Sequence, residues 1–174
     1  MEYKNYLLDT NIVAYFARLK LGEKDPKCER LKENLARLTD DSKLFLCPIS
    51  VGETEYGLGV APFKDVRKQQ LVRDALGVFP MLDVDNNVAG SYGKLRARLF
   101  NHCYPEGKKG RTFKEKRVEQ WLDPVTSKEL GIQENDLWIT AVAYTYHYVL
   151  VTNDKMAPIK HIAGPDVEFE DWLA

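Results

Sequence analysis

Tyr6-Leu7-Leu8-Asp9-Thr10-Asn11 is a short apolar run that ends on a carboxylate, and Tyr148-Val149-Leu150-Val151-Thr152-Asn153-Asp154 repeats the arrangement far along the chain. Each stretch reads as a buried strand of an α/β sheet with an acid just past its carboxyl end. In open parallel sheets that edge is where ligands bind. Two more acids, Glu53 and Asp136, stand where helices are expected to open at the same edge. Two ionised carboxylates about 4 Å apart repel by roughly 4 kcal/mol at an effective dielectric of 20. Four acids converging on one place therefore require a cation.

Between these stretches, apolar runs alternate with helical patterns. The rhythm predicts a three-layer α/β/α sandwich around a central, mainly parallel sheet. Asn11 is expected to cap a first helix through Ile12, Val13, Tyr15 and Phe16, which Gly22 interrupts. Asp25-Pro26 is a helix-start signature, with Cys28, Leu31, Leu35 and Leu38 on the buried stripe. Leu44 to Cys47 reads as the next strand, closed by Pro48, and Ser50 as the start of a helix carrying Glu53. A helix over about 64–76 ends at Gly77, and Val78 to Leu82 reads as an edge strand. Asp85 caps a helix with Val88, Tyr92, Leu95 and Leu99 at apolar spacing. Some helix is expected from Phe113 to Leu122, and a longer one from Asp136 to about His147.

A chain of 174 residues with 44% hydrophobic content fits one domain, 1–174, with a real core. No apolar stretch approaches the roughly 20 residues needed to cross a bilayer. No basic-then-apolar leader precedes Tyr6, so a cytoplasmic protein without a membrane anchor is expected. Cys28, Cys47 and Cys103 are widely spaced and fit reduced thiols. Neither a GxSxG elbow nor a Walker-type loop is present. His102, His147 and His161 are not expected to pair.

The formal charge of −1 hides a basic segment. From Lys94 to Arg117, nine basic residues stand against two acids, with Phe100, Tyr104 and Phe113 interleaved. Most lie in a stretch at about 101–131 that breaks the α/β rhythm and reads as an insertion. Lys108, Lys109, Arg111, Lys114, Lys116 and Arg117 are candidate nucleic-acid contacts, as basic side chains hold phosphates while rings stack bases. A solvated charged loop fits the same residues.

Taken singly, the acids admit structural roles. Ser50-Val51-Gly52-Glu53 matches a capping box, and Asp136 after Asn135 fits a helix cap. Asp9 and Asp154 beside buried strands are costly to desolvate unless paired or ligating. As an ordered set, Asp9 in LLDTN, Glu53 in SVGETEYGL, Asp136 in ENDLWITAVA and Asp154 in LVTNDK resemble the signature of PIN-domain nucleases. Within these the likeness is to the VapC-type toxin ribonuclease of toxin–antitoxin pairs, from Tyr6 to about Lys155. The stretch of about thirty residues after Leu99 departs from the compact members.

The resemblance implies that Asp9, Glu53, Asp136 and Asp154 are both catalytic and metal-binding, and that Thr10 and Thr152 support them. Thr10 and Thr152 also fit ordinary turn hydrogen bonding. Oxygen-only ligands favour Mg²⁺ or Mn²⁺. The implied activity is a metal-dependent endoribonuclease, with RNA as substrate and a cognate antitoxin as partner; a homodimer is compatible with the family. The alternatives are a catalytically idle PIN-like binding module and a housekeeping RNA-processing nuclease.

Overall fold

The computed structural model describes residues 4–62, 65–105 and 116–174. They group into two compact units. The first comprises the described residues of Met1–Asp83 with Tyr148–Asp154 and Phe169–Ala174; the second comprises those of Val84–His147 with Lys155–Glu168.

The first unit is built on four strands, β1 (Asn5–Leu8), β2 (Lys43–Phe45), β3 (Val149–Val151) and β4 (Phe169–Glu170). Their order is β2-β1-β3-β4, and every pairing is parallel, as the apolar runs lead one to expect. Leu8 stands opposite Val151 in that register. Side chains alternate along a strand, so Tyr6, Leu8, Val149 and Val151 share one face. They pack with Ile12, Val13 and Phe16 of α1 (Thr10–Lys20), Leu31 of α2 (Pro26–Ala36) and Ala75 and Leu76 of α4 (Val66–Leu76). Leu7 and Leu150 alternate to the opposite face and are also fully buried, so both faces of the sheet are covered. Between β2 and α4 runs α3 (Pro48–Val60).

The second unit contains α5 (Asn86–Cys103), a 3₁₀ turn at Val118–Gln120, α6 (Glu134–Tyr146) and α7 (Ala157–Ala163). Val88, Leu95, Leu99 and Cys103 form the buried stripe of α5. The Tyr92 and Trp138 rings stack at 3.9 Å between α5 and α6. The Thr145 hydroxyl, 2.8 Å from the Ser91 hydroxyl oxygen, adds a polar tie.

Several expected starts are observed. Asp25 accepts the Lys27 N–H at 2.8 Å and heads α2. Asp85 accepts the N–H groups of Asn87 and Val88 and heads α5. Others shift. The cap of α1 is Asp9, with extended backbone and its carboxylate on the Thr10 N–H, so Asn11 lies inside the helix. Pro48 is the first residue of α3, not merely the end of a strand. Proline suits a first turn because its missing N–H would have no intrahelical partner there. Ser50 thus lies within the helix, and the expected capping box with Glu53 is not the one formed. Its hydroxyl instead donates to the Leu8 carbonyl at 3.4 Å.

The expected edge strand over Val78 to Leu82 reduces to one parallel bridge, Leu46 with Met81. Within the helix expected from Phe113 to Leu122, the described part forms the 3₁₀ turn; Phe113 lies outside the described residues. β4 and α7 are elements that sequence periodicity does not anticipate. Replacing Leu8 with Ala should lower unfolding free energy by about 2–5 kcal/mol in urea. Val125→Ala, at a side chain 88% exposed, should change it by no more than about 0.5 kcal/mol.

Candidate active site

At the carboxyl ends of β1 and β3, the parallel register delivers Asp9 and Thr152 side by side. The Asp9 N–H donates to the Val151 carbonyl at 3.0 Å, and the Thr152 N–H to the Glu170 carbonyl at 2.9 Å. The Asp9 side chain is 2% exposed. Its Oδ1 accepts the Thr10 N–H at 2.7 Å, while Oδ2 accepts the Thr152 hydroxyl at 2.6 Å and the Asn11 amide at 3.0 Å. The Asn11 amide also donates to Thr152 Oγ1 at 3.2 Å, and Asn11 Oδ1 accepts the Asn153 N–H at 3.1 Å. Thr152 Oγ1 in turn accepts the Asp154 N–H at 3.1 Å. Asp9 is thus locked in one orientation by groups from both strand ends.

Thr10 ties in a second acid. Its N–H serves Asp9 while its hydroxyl donates to the Glu53 carboxylate, so one residue joins α3 to the end of β1. Glu55, two positions on, is held instead by Nε and Nη2 of the Arg73 guanidinium, each at 2.7 Å.

Burial pushes the Asp9 carboxyl up from 3.8 to about 6; the Thr152 and Thr10 hydrogen bonds oppose this, and the Asp154 and Glu53 charges add to it. The displacement corresponds to about 3 kcal/mol against the ionised form. A buried carboxylate surrounded by like charge is stabilised by a cation, and the donors here are all hard oxygen. That chemistry fits magnesium or manganese better than zinc. Among the described residues, no three His, Cys, Asp or Glu side chains are drawn together as a ready-made chelate. The fit therefore rests on the oxygen donor set and on the unfavourable charge at Asp9. Buried Cys47 has its thiol pushed up by desolvation, which argues against a thiolate nucleophile.

In the second unit, Asp136 occupies the first turn of α6 and accepts the Gln133 N–H at 2.7 Å. Gln133, not Asp136, is the N-cap of that helix. Lys116 is half-buried and Arg117 exposed; Lys108, Lys109, Arg111 and Lys114 lie outside the described residues. His102 and His161 do pair, with ring centroids 4.8 Å apart, contrary to the sequence expectation. Their positions on α5 and α7 are 59 residues apart in the chain, which hides the pairing from a linear reading. His147 ends α6 in the left-handed conformation and is exposed.

A family model described as the PIN domain matches residues 6–165. The chain belongs to the PIN domain family. No curated protein matches it. Among solved structures, VapBC2 from Rickettsia felis bound to a promoter DNA fragment is 24% identical, with a TM-score of 0.64 over 97% of this chain and 98% of that one. VapBC-1 from nontypeable Haemophilus influenzae is 20% identical, with a TM-score of 0.65 over 98% and 99%. VapBC-5 from Mycobacterium tuberculosis, a member of the VapBC family of toxin–antitoxin systems, is 18% identical, with a TM-score of 0.55 over 96% of each chain. At these identities the likeness is one of fold: a mixed α/β PIN domain on a parallel sheet.

Within this PIN domain, Asn11 and Asn153 join the polar network, although the pattern of acids alone does not point to them. Their places in LLDTN and LVTND, beside the acids, are the available sequence signal. Thr152→Val should cost about 1.5–3 kcal/mol of stability by removing a buried donor to a charged group. Urea unfolding of this variant beside the unmodified protein measures the loss.

Proposed function

We propose that this PIN domain is a divalent-metal-dependent endoribonuclease and the toxin of a toxin–antitoxin pair. The observation that carries the nuclease reading is the Asp9 carboxylate, held in one orientation by Thr10, Asn11 and Thr152, its pKa raised chiefly by burial and further by the charges of Asp154 and Glu53. Asp9, Glu53 and Asp154 are the proposed metal-binding acids of the first unit. Asp136 enters this reading through its motif and is tested by its own substitution. The solved VapBC complexes of the same fold support the toxin assignment and a small antitoxin partner.

A bound Mg²⁺ or Mn²⁺ would supply a more acidic water and offset charge on the phosphoryl oxygens. The chain's own residues provide the rest. Thr152 and Asn11 fix the Asp9 carboxylate, so no reorganisation is needed when substrate arrives. Thr10 keeps Glu53 beside it. A carboxylate of this set receives the proton of the attacking water as its oxygen bonds to phosphorus; the P–O3′ bond breaks and the departing oxygen takes up a proton, giving a 3′-hydroxyl upstream and a 5′-phosphate downstream. No histidine is required.

Asp9→Asn, Glu53→Gln, Asp136→Asn and Asp154→Asn should each reduce RNA cleavage at least about hundredfold, the equivalent of roughly 3 kcal/mol of barrier. Circular dichroism should remain unchanged. EDTA should abolish cutting by the unmodified protein; cyclic phosphate ends formed in EDTA would refute the mechanism. Mn²⁺ at a hundred times its dissociation constant should add about 2.7 kcal/mol of stability, raising Tm by about 5–10 °C in a chain of this size. Asp9→Asn should lose most of that shift. Growth arrest on expression, relieved by the neighbouring gene, tests the toxin assignment separately.

A further inference from the structure

Lys27 stands in the first turn of α2, and its ammonium donates to Asn153 Oδ1 at 2.9 Å. Asn153 precedes Asp154, and its N–H is bonded to Asn11, whose amide holds Asp9. Two side chains therefore separate the Lys27 charge from the buried carboxylate, all within the first unit. The Tyr15 ring lies 5.4 Å from the same ammonium and braces it.

Two arginines of this unit are taken up by acids, whereas Arg30 donates to the Leu173 carbonyl at 3.2 Å and Lys20 lies over the Phe16 ring, both away from Asn153. Arg18 binds Glu23 and Asp25, each at 2.8 Å, and Arg73 binds Glu55 at 2.7 Å. Asp25, two residues before Lys27, is occupied by Arg18 and by the N–H groups of its own helix. The Lys27 ammonium itself contacts an amide oxygen and a ring face, and the same Asn153 amide donates in turn to Asp171 Oδ2 at 2.9 Å. A cation serving to neutralise the acids would sit on a carboxylate. One held beside them by an amide, and half-exposed, keeps its charge for an incoming anion.

We propose that Lys27 is a substrate-binding residue that anchors a backbone phosphate of single-stranded RNA next to the phosphate being cut. Lysine suits this role as a point charge needing no bidentate geometry. The inference rests on the nuclease reading above, and it adds a binding residue that lies outside the basic segment. It also separates two roles for charge in one unit: acids for the cation, and one ammonium for the strand.

The test is steady-state cleavage of a fluorogenic single-stranded RNA by the unmodified protein, Lys27→Ala and Lys27→Arg, between 50 and 500 mM KCl. Losing one charge-assisted phosphate contact should raise KM about tenfold at low salt, with kcat within about twofold. The slope of log(kcat/KM) against log[KCl] should become shallower by about 0.7, one phosphate's worth on a single strand. Lys27→Arg should keep KM near the unmodified value. If the unmodified protein cleaves but Lys27→Ala has the same KM and slope, the inference falls alone. If Lys27→Ala instead needs less Mg²⁺ at unchanged KM, Lys27 is a counter-ion of the acids and the inference falls likewise. If the unmodified protein cleaves no RNA with Mg²⁺ or Mn²⁺, the nuclease reading falls and takes this inference with it.

Discussion

One hydrogen bond, from the Thr152 hydroxyl to the Asp9 carboxylate, is the tie on which the rest of the site depends. It exists because β1 and β3 pair in parallel with Leu8 opposite Val151, so the next residue on each strand emerges at the same edge. A slip of one residue would turn every side chain of a strand to the opposite face. Leu7 and Leu150 would then exchange places with the residues packed against α1, and the core would resist. Apolar packing thus enforces the register, and the register in turn enforces the polar geometry at the strand ends.

What the sheet positions is electrostatically unfavourable by itself. Asp9 is buried, and the charges of Asp154 and Glu53 act on it in the direction that disfavours ionisation. Asn11, Thr10 and Thr152 recover part of that cost through donors aimed at both carboxylate oxygens. Natural cores rarely keep such an arrangement without a use for it, since a neutral side chain of similar size would remove most of the strain. The chain that keeps it belongs to the PIN domain family.

Much of this was legible in the residues. The strands around Leu7 and Leu150 announce a parallel sheet because burial on both faces demands unbroken apolar runs. Asp25-Pro26 and Asp85 announce helix starts because their side chains satisfy first-turn N–H groups. The misreadings have local causes. Ser50 and Glu53 have capping-box spacing, but Pro48 begins the helix two residues earlier and places Ser50 inside it. Asn11 has the chemistry of a cap, yet Asp9 is better placed and Asn11 turns to the site. β4 has only two residues and α7 seven, too few for periodicity to register. The His102–His161 contact and the Lys27–Asn153 bond join residues far apart in the chain, which only the folded topology brings together.

The Thr152 hydroxyl that orients Asp9 lies 143 residues along the chain from it. During translation, a nascent chain that has released only its N-terminal half carries the acid without Thr152, Asn153 or Asp154, and without the strand that sets their register. For most of the elongation time the chain therefore holds Asp9 without the Thr152 hydroxyl that orients it. The site closes only when β3 slots in beside β1, after its residues have left the exit tunnel. Strand order thus postpones assembly of this hydrogen-bonded network until β3 has been synthesised.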